Sequence, residues 1–336
     1  MTEVAPRIAL DAMGGDHAPT VVVDGAVAAA REYGLEITLV GPRERIEAEL
    51  ARHSTSGLKL PIVHADEIVG MDEHASAAIR QKRESSIAIG IALVKEGRAD
   101  GFVSAGNSGA VMASALFGLG RIEGIDRPAI GTVYPTISGS CFIIDAGANV
   151  DCKPEYLAQF AVMGSAYVEK VLGVSSPRVA LLSNGEEDTK GNSLIQAARP
   201  LLKASRVNFV GNVEGKDIPF GVADVVVCDG FAGNVVIKLS EGLASALFDI
   251  LKKELTADLP SKLAALALKP AFRRVKRRLD YAEYGGAPLL GVKGVVIIAH
   301  GRSNALAIKN AIRVARQAVE QRLVRAIATG LAGQPD

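Results

Sequence analysis

The chain has 336 residues, 49% of them hydrophobic, with 38 basic against 37 acidic side chains, no Trp and only 4% aromatic residues. A net charge near zero gives no long-range pull on a polyanion, and the lack of aromatic platforms argues against nucleic acid as a partner. No signal-peptide core opens the chain, no apolar run is long enough to span a bilayer, and three cysteines without metal-ligand spacing (Cys141, Cys152, Cys228) read as free thiols of a cytoplasmic protein.

Strand-like runs at 7–11, 36–41, 101–105, 141–146, 178–183, 207–211, 225–228 and 295–299 alternate with amphipathic helical segments such as 154–172 and 193–204. That alternation predicts an α/β fold over 1–336, a single three-layer α/β/α sandwich around a mainly parallel sheet. Ligands of such sheets bind beyond the carboxyl ends of the strands, so the loops there carry the functional reading.

The first loop is Asp11-Ala12-Met13-Gly14-Gly15-Asp16-His17-Ala18-Pro19, with Pro19 at a favoured helix start. Gly14-Gly15 permits close backbone approach to a ligand; His17 either hydrogen-bonds that ligand or acts as acid/base, or, as single loop histidines usually do, lies at the surface or caps the helix. Ser104-Ala105-Gly106-Asn107-Ser108-Gly109-Ala110 is a second anion-compatible helix start. Loop 145–151 adds Gly147-Ala148-Asn149. Loop 183–192 adds Lys190, a cation beside Gly191-Asn192 where a helix begins, and the acidic trio Glu186, Glu187 and Asp188. Such a trio is either a metal site or, more commonly, a solvated loop. Gly211-Asn212 follows the next strand.

The stretch 223–251 has the clearest pattern. An apolar run ending at Cys228 leads into Asp229-Gly230-Phe231-Ala232-Gly233-Asn234, after which Val236, Leu239, Leu243, Leu247 and Ile250 recur at helical spacing. Strand, glycine-bearing loop and helix together suit phosphate, with Asn234 either capping the helix or reaching the ligand. Farther on, His300-Gly301-Arg302-Ser303-Asn304 precedes a long helix expected to reach Ala328. The Gly–Asn loops jointly predict one long polar cleft lined by backbone N–H groups and amides.

Between Leu251 and Tyr281 the alternation stops, and nine Lys or Arg stand against three Asp or Glu. Leu263, Leu266 and Leu268 follow Pro260; Phe272, Val275 and Leu279 follow Pro270, ringed by Arg273, Arg274, Lys276, Arg277 and Arg278. A basic amphipathic helix suits an anionic membrane surface or an acidic protein, or else packs its apolar stripe on the body or on a second subunit.

Absent motifs narrow the chemistry. Gly118-Leu119-Gly120 follows a helix rather than a strand, so it fails the context of a dinucleotide site. Gly211 to Lys216 is one residue short of a P-loop, and there is no Gly-x-Ser-x-Gly elbow, no His-Glu-x-x-His and no His followed five residues later by Asp. Neither a serine acyl-enzyme nor a zinc hydrolase is expected.

Taken in order, segments 11–19, 104–110, 145–149, 185–192, 211–217, 229–234 and 284–291 with His300-Gly301 resemble the bacterial phosphate acyltransferase family, over 7 to about 323. These are the fatty acyl-[acyl carrier protein]:phosphate acyltransferases of membrane phospholipid synthesis. The resemblance implies a fold related to phosphotransacetylases and isocitrate dehydrogenases, a homodimer, and peripheral attachment to the inner face of the membrane. It implies transfer of a long acyl chain from acyl carrier protein to inorganic phosphate, without metal or organic cofactor. A membrane acyltransferase then passes the acyl group to glycerol 3-phosphate. In that chemistry Lys190 would bind phosphate and offset charge. Asn234, with the N–H groups after Gly233, would orient phosphate or the thioester oxygen. Asp16, His17, Gly106, Asn107, Asn192, Gly230 and His300 would complete the site, and Leu263, Leu268, Phe272, Arg273, Arg274 and Arg277 would meet membrane or carrier protein. Rival readings are a short-chain phosphotransacetylase, a nicotinamide-dependent oxidoreductase and a non-catalytic lipid or carrier-protein binding module.

Overall fold

The computed structural model describes residues 5–74, 80–279 and 281–332; the side chains of Lys276, Arg277, Leu279 and Tyr281 lie outside that description. At its centre, β1 (Arg7–Asp11) pairs in parallel with β2 (Glu36–Gly41) and β4 (Gly101–Ser104), which is why Ile8, Ala9 and Leu10 can all be apolar and fully buried. The other strands are β3 (Ile62–His64), β5 (Ala129–Thr136), β6 (Gly139–Ile144), β7 (Arg178–Ser183), β8 (Asn208–Glu214), β9 (Val225–Val227), β10 (Ala287–Leu290) and β11 (Val295–Ile298). All eleven share one sheet in the order β3-β2-β1-β4-β11-β10-β5-β6-β9-β7-β8.

Helices cover both faces. In chain order they are α1 (Thr20–Tyr33), α2 (Arg43–Leu50), α3 (Ser86–Lys95), α4 (Ser108–Gly118), α5 (Pro154–Lys170), α6 (Ser193–Ala204), α7 (Gly230–Leu255), α8 (Leu259–Leu279), α9 (Ala305–Glu320) and α10 (Leu323–Leu331). Strand parity sorts the core into layers. Ile8, Leu10, Phe142 and Ile144 face α1, α5 and α9, whereas Ala9 and Phe102 face α3 and α4, and Cys141 and Ile143 face the start of α7. Phe142 stacks on Tyr167 of α5 with ring centroids 4.4 Å apart. Both rings are fully buried, each worth about 1.5–3 kcal/mol of transfer free energy.

The expected three-layer α/β/α sandwich with a mainly parallel sheet is present. Three strands were not legible: β3, β5 and β10. β3 has only three residues, while Gly131 and Pro135 interrupt β5 and Pro288 sits in β10, residues that weaken a strand reading. The antiparallel pairs join β10 to β11, β10 to β5, and β5 to β6. Within β10, Ala287 and Pro288 pair with β11, whereas Leu289 and Leu290 pair with β5. The sheet is therefore two parallel halves of opposite polarity, joined where β10 changes partner. The helix expected to run to Ala328 is broken instead, because Arg322 takes the left-handed conformation (φ 51°, ψ 44°) and starts α10 in a new direction.

Candidate active site

Where the two half-sheets meet, a cleft of about 340 Å³ opens. One half contributes Ser108 at the start of α4 and Ala299, His300 and Ser303 after β11; the other contributes Ala146 and Gly147 after β6 and Asn234 and Lys238 of α7. Ala307, in the first turn of α9, also lines it. Two helix N-termini, those of α4 and α9, thus open on one volume, flanked by the second turn of α7. Their first-turn N–H groups have no partner within the helix, and the positive dipole ends favour an anion.

Two buried carboxylates hold the loops in place. Asp11 accepts from the Ser104 hydroxyl (2.7 Å) and the Met13 N–H (3.1 Å), which ties the first loop to the second. A side chain at Gly14 would come within 2.5 Å of the Gly106 nitrogen, so the two loops touch backbone to backbone. In the other half, Asp145 accepts from the N–H groups of Ile130, Gly147, Ala148 and Asn149 and from the Asn149 amide, at 2.7 to 3.1 Å. Burial pushes the pKa of both carboxyl groups up, and these donors pull it back.

The start of α7 is pressed onto that second loop. A side chain at Gly233 would overlap the Asp145 carbonyl oxygen, and one at Gly230 would sit 2.8 Å from the Asn149 oxygen. These glycines are therefore used for packing. Asp229 takes the cap, its carboxylate accepting from the Ala232 N–H at 2.8 Å. Asn234, in the second turn, is left over: among the described residues nothing hydrogen-bonds its exposed side chain, which lies over Gly147 and lines the cleft.

The remaining sequence-derived candidates divide. His300 lines the cleft, and its Nδ1 accepts from the Arg302 N–H at 3.1 Å, which leaves the proton of a neutral ring on Nε2. Burial first, then the charges of Lys238 and Arg302, hold its pKa below the ordinary 6.5. Asp16 reaches the same end of the molecule: its N–H donates to the Gly301 carbonyl at 2.8 Å, and its charge acts on His300. Asn107 caps α4 by accepting from the Ala110 N–H, and its amide donates to the carbonyls of Gly70, Met71 and Glu73. Asn192 caps α6. His17, Asn107, Asn192 and Lys190 are not among the cleft's lining residues.

Lys190 is exposed on the loop after β7, folded back over Gly185. Beside it, Asp188 pairs with Arg199 and Lys203, and no metal-ligating group of three acids, His or Cys exists among the described residues.

Ser303 and Lys238 also border the cleft, though no sequence motif assigns them a role. Ser303 is buried, and its hydroxyl has no partner among the described residues although it borders the cleft. Lys238 pairs with Glu241 at 3.0 Å. Both were visible only as neighbours of motif residues, since helical spacing alone does not tell which side of α7 faces the other half-sheet.

Along the helical excursion, Phe231, Val235, Leu239, Leu243, Leu247 and Ile250 of α7 form an exposed stripe, as do Leu259, Leu263 and Leu266 of α8. α8 runs unbroken through Pro270. Leu268 is also exposed and Phe272 half-buried, so this apolar surface is not packed on the body of the chain. No described helix is long and apolar enough to cross a membrane.

Residues 6–325 match the family model described as fatty acid synthesis protein. A phosphate acyltransferase from Pelotomaculum thermopropionicum is 55% identical over 325 residues, covering 97% of this chain and 95% of the relative. One from Geobacter sulfurreducens is 54% identical over 327 residues, covering 96% and 94%. Among solved structures, a phosphotransacetylase from Streptococcus pyogenes superposes with a TM-score of 0.65 at 18% identity, covering 94% of each chain. That likeness is one of fold.

Proposed function

The chain belongs to the fatty acid synthesis protein family and is an acyl-transferring enzyme akin to phosphate acyltransferases; on that premise we propose that it moves a long-chain acyl group from acyl carrier protein to inorganic phosphate. The observation that carries the reading is the cleft itself: two helix N-termini, an unengaged Asn234 amide and an unpartnered Ser303 hydroxyl.

Such a site suits two anions, the phosphate and the oxygen that gains charge as the thioester is attacked. A phosphate oxygen attacks the thioester carbonyl, the C–S bond breaks, and the thiolate leaves and takes up a proton. Acyl phosphate and free carrier thiol result. Phosphate is already anionic at neutral pH, so no protein nucleophile is required. The cysteines offer none: burial pushes the thiols of Cys141 and Cys152 up to about 12 and that of Cys228 well above the ordinary range. Asn234 and His300, its proton on Nε2, are assigned as donors to the developing charge. Lys190 keeps the proposed role of phosphate cation although it is not on the cleft lining here. If Lys190→Ala retains full turnover, the charge belongs to Lys238 instead.

The exposed α7 and α8 surface supports a homodimer and peripheral attachment to an anionic membrane, with Arg273 and Arg274 beside Leu263, Leu268 and Phe272. Acyl carrier protein as donor and a membrane acyltransferase as consumer of the acyl phosphate belong to the same proposal. The deciding assay uses palmitoyl-acyl carrier protein with and without inorganic phosphate, following thiol release and trapping product with hydroxylamine. Phosphate-dependent thiol release with a hydroxamate product is expected. Turnover with acetyl-coenzyme A alone would make the chain a short-chain phosphotransacetylase. Flotation on anionic vesicles tests the surface: Leu268→Asp with Phe272→Asp should abolish it, and unchanged flotation would remove the membrane contact.

A further inference from the structure

A second cavity of about 410 Å³ opens off the cleft, and Thr132, Val133, Ile237, Glu241 and Tyr284 line both. We infer that this groove, between β5 and the α7–α8 hairpin, holds the hydrocarbon chain of the acyl donor, and that Ala244 of α7 limits its length. The inference rests on the acyl-transfer reading above and names the lipid subsite it lacks.

Position along α7 sets the geometry. Asn234 and Lys238 line only the polar cleft, Ile237 and Glu241 line both cavities, and Ala244 lines only the groove. These residues recur at intervals of three and four, so they form one stripe along the helix. At 1.5 Å per residue, Ala244 stands about 15 Å down the axis from Asn234. A thioester carbonyl at Asn234 thus has an apolar path leading away from it along α7. Beyond the shared wall the apolar lining is Pro135 and Ile137 of β5, Pro219, Ala244, and Val275 of α8, with Tyr134, Thr136, Ser240 and Arg278 as its polar members.

Most polar side chains of this wall are already engaged, Arg278 and Thr132 apart. The Tyr134 hydroxyl donates to Ser240 Oγ at 3.0 Å, and Ser240 donates in turn to the Val236 carbonyl at 2.8 Å. The Tyr284 hydroxyl donates to the Arg278 carbonyl at 2.7 Å, and Glu241 is paired with Lys238. What the groove presents to an occupant is chiefly carbon. A polar ligand would lose its water without replacement, whereas an alkyl chain gains about 0.8 kcal/mol per buried methylene.

The test is chain-length selectivity with matched butyryl and palmitoyl donors. Ala244→Phe fills the stripe, and the ratio of kcat/KM for palmitoyl over butyryl is expected to fall about tenfold or more. Residual butyryl turnover in the same preparation reports that the variant folds. An unchanged ratio, whether both rates fall together or neither does, overturns the assignment. Binding of the fluorescent fatty acid cis-parinaric acid separates this failure from that of the reaction. Saturable binding to the wild type, weakened about tenfold or more by Ala244→Phe, supports the groove even if no acyl phosphate forms. Equal binding to both proteins sinks it even if the wild type is an active transferase.

Discussion

Five asparagines follow glycines or lie one residue beyond them, and the structure gives them different work. Asn107 and Asn192 cap helices, Asn149 braces the Asp145 loop, and Asn212 donates to the Glu187 carbonyl. Only Asn234 has a side chain unengaged by the described residues. Asn234→Ala should therefore lower kcat about 100-fold, as loss of a transition-state donor does, while leaving Tm unchanged. Asn192→Ala should do the reverse, costing about 1 kcal/mol of stability for the lost cap, read from denaturant titration. The sequence marked all five loops but did not sort them. Whether an Asn caps a helix or reaches past it depends on which residue starts the helix, and Asp229 takes that place five residues ahead of Asn234. His300 offers a second check. Its NMR titration midpoint should lie below 6.5, and Lys238→Ala should raise it only in part, because burial is the larger cause. The unfolded chain binds that proton more readily than the folded one, so His300 makes the protein less stable as pH falls below 6.5.

At the scale of elements, the buried parallel strands were legible because they are short, apolar and bounded by glycine loops. β5 and β10 were not, since proline and glycine inside them are tolerated only by their place at the seam between the half-sheets. α8 was legible as a basic amphipathic excursion at 251–281, but what covers its apolar face, and that of α7, was not. α7 has 26 residues, about 39 Å, and carries its exposed apolar stripe along nearly the whole length. A stripe of that extent on a monomer marks an interface. If the proposed homodimer forms through α7, the wild type should scatter light as a dimer and Leu243→Asp with Leu247→Asp should halve that mass. A wild type of monomer mass would remove the homodimer, and a dimer mass kept by the variant would remove α7 as its contact.

For the molecule as a whole, one hydrophobic core runs from α1 and β2 through Phe142 to α6, so both halves share it. Unfolding should be a single transition by near- and far-ultraviolet circular dichroism. Asp145 sits where that unity is most exposed to damage. Asp145→Ala would strand the N–H groups of Ile130, Gly147, Ala148 and Asn149, and should cost about 3 kcal/mol or more. The fold class and polar loops were readable from the alternation of runs. The reversal of polarity was not, because it depends on strand pairing across more than a hundred residues.

The helix starts at the cleft have an electrostatic consequence. α4 and α9 each place a first-turn residue, Ser108 and Ala307, on its lining. The partial positive charge of such helix starts acts at contact range and fades beyond the first turn. Combined with a net charge of +1, this makes a molecule that is nearly invisible to anions in bulk solution yet attractive to them at contact range. Phosphate would be captured by fit rather than drawn in, and its on-rate should change little when ionic strength is raised from 20 to 200 mM (both values on the order of common buffers).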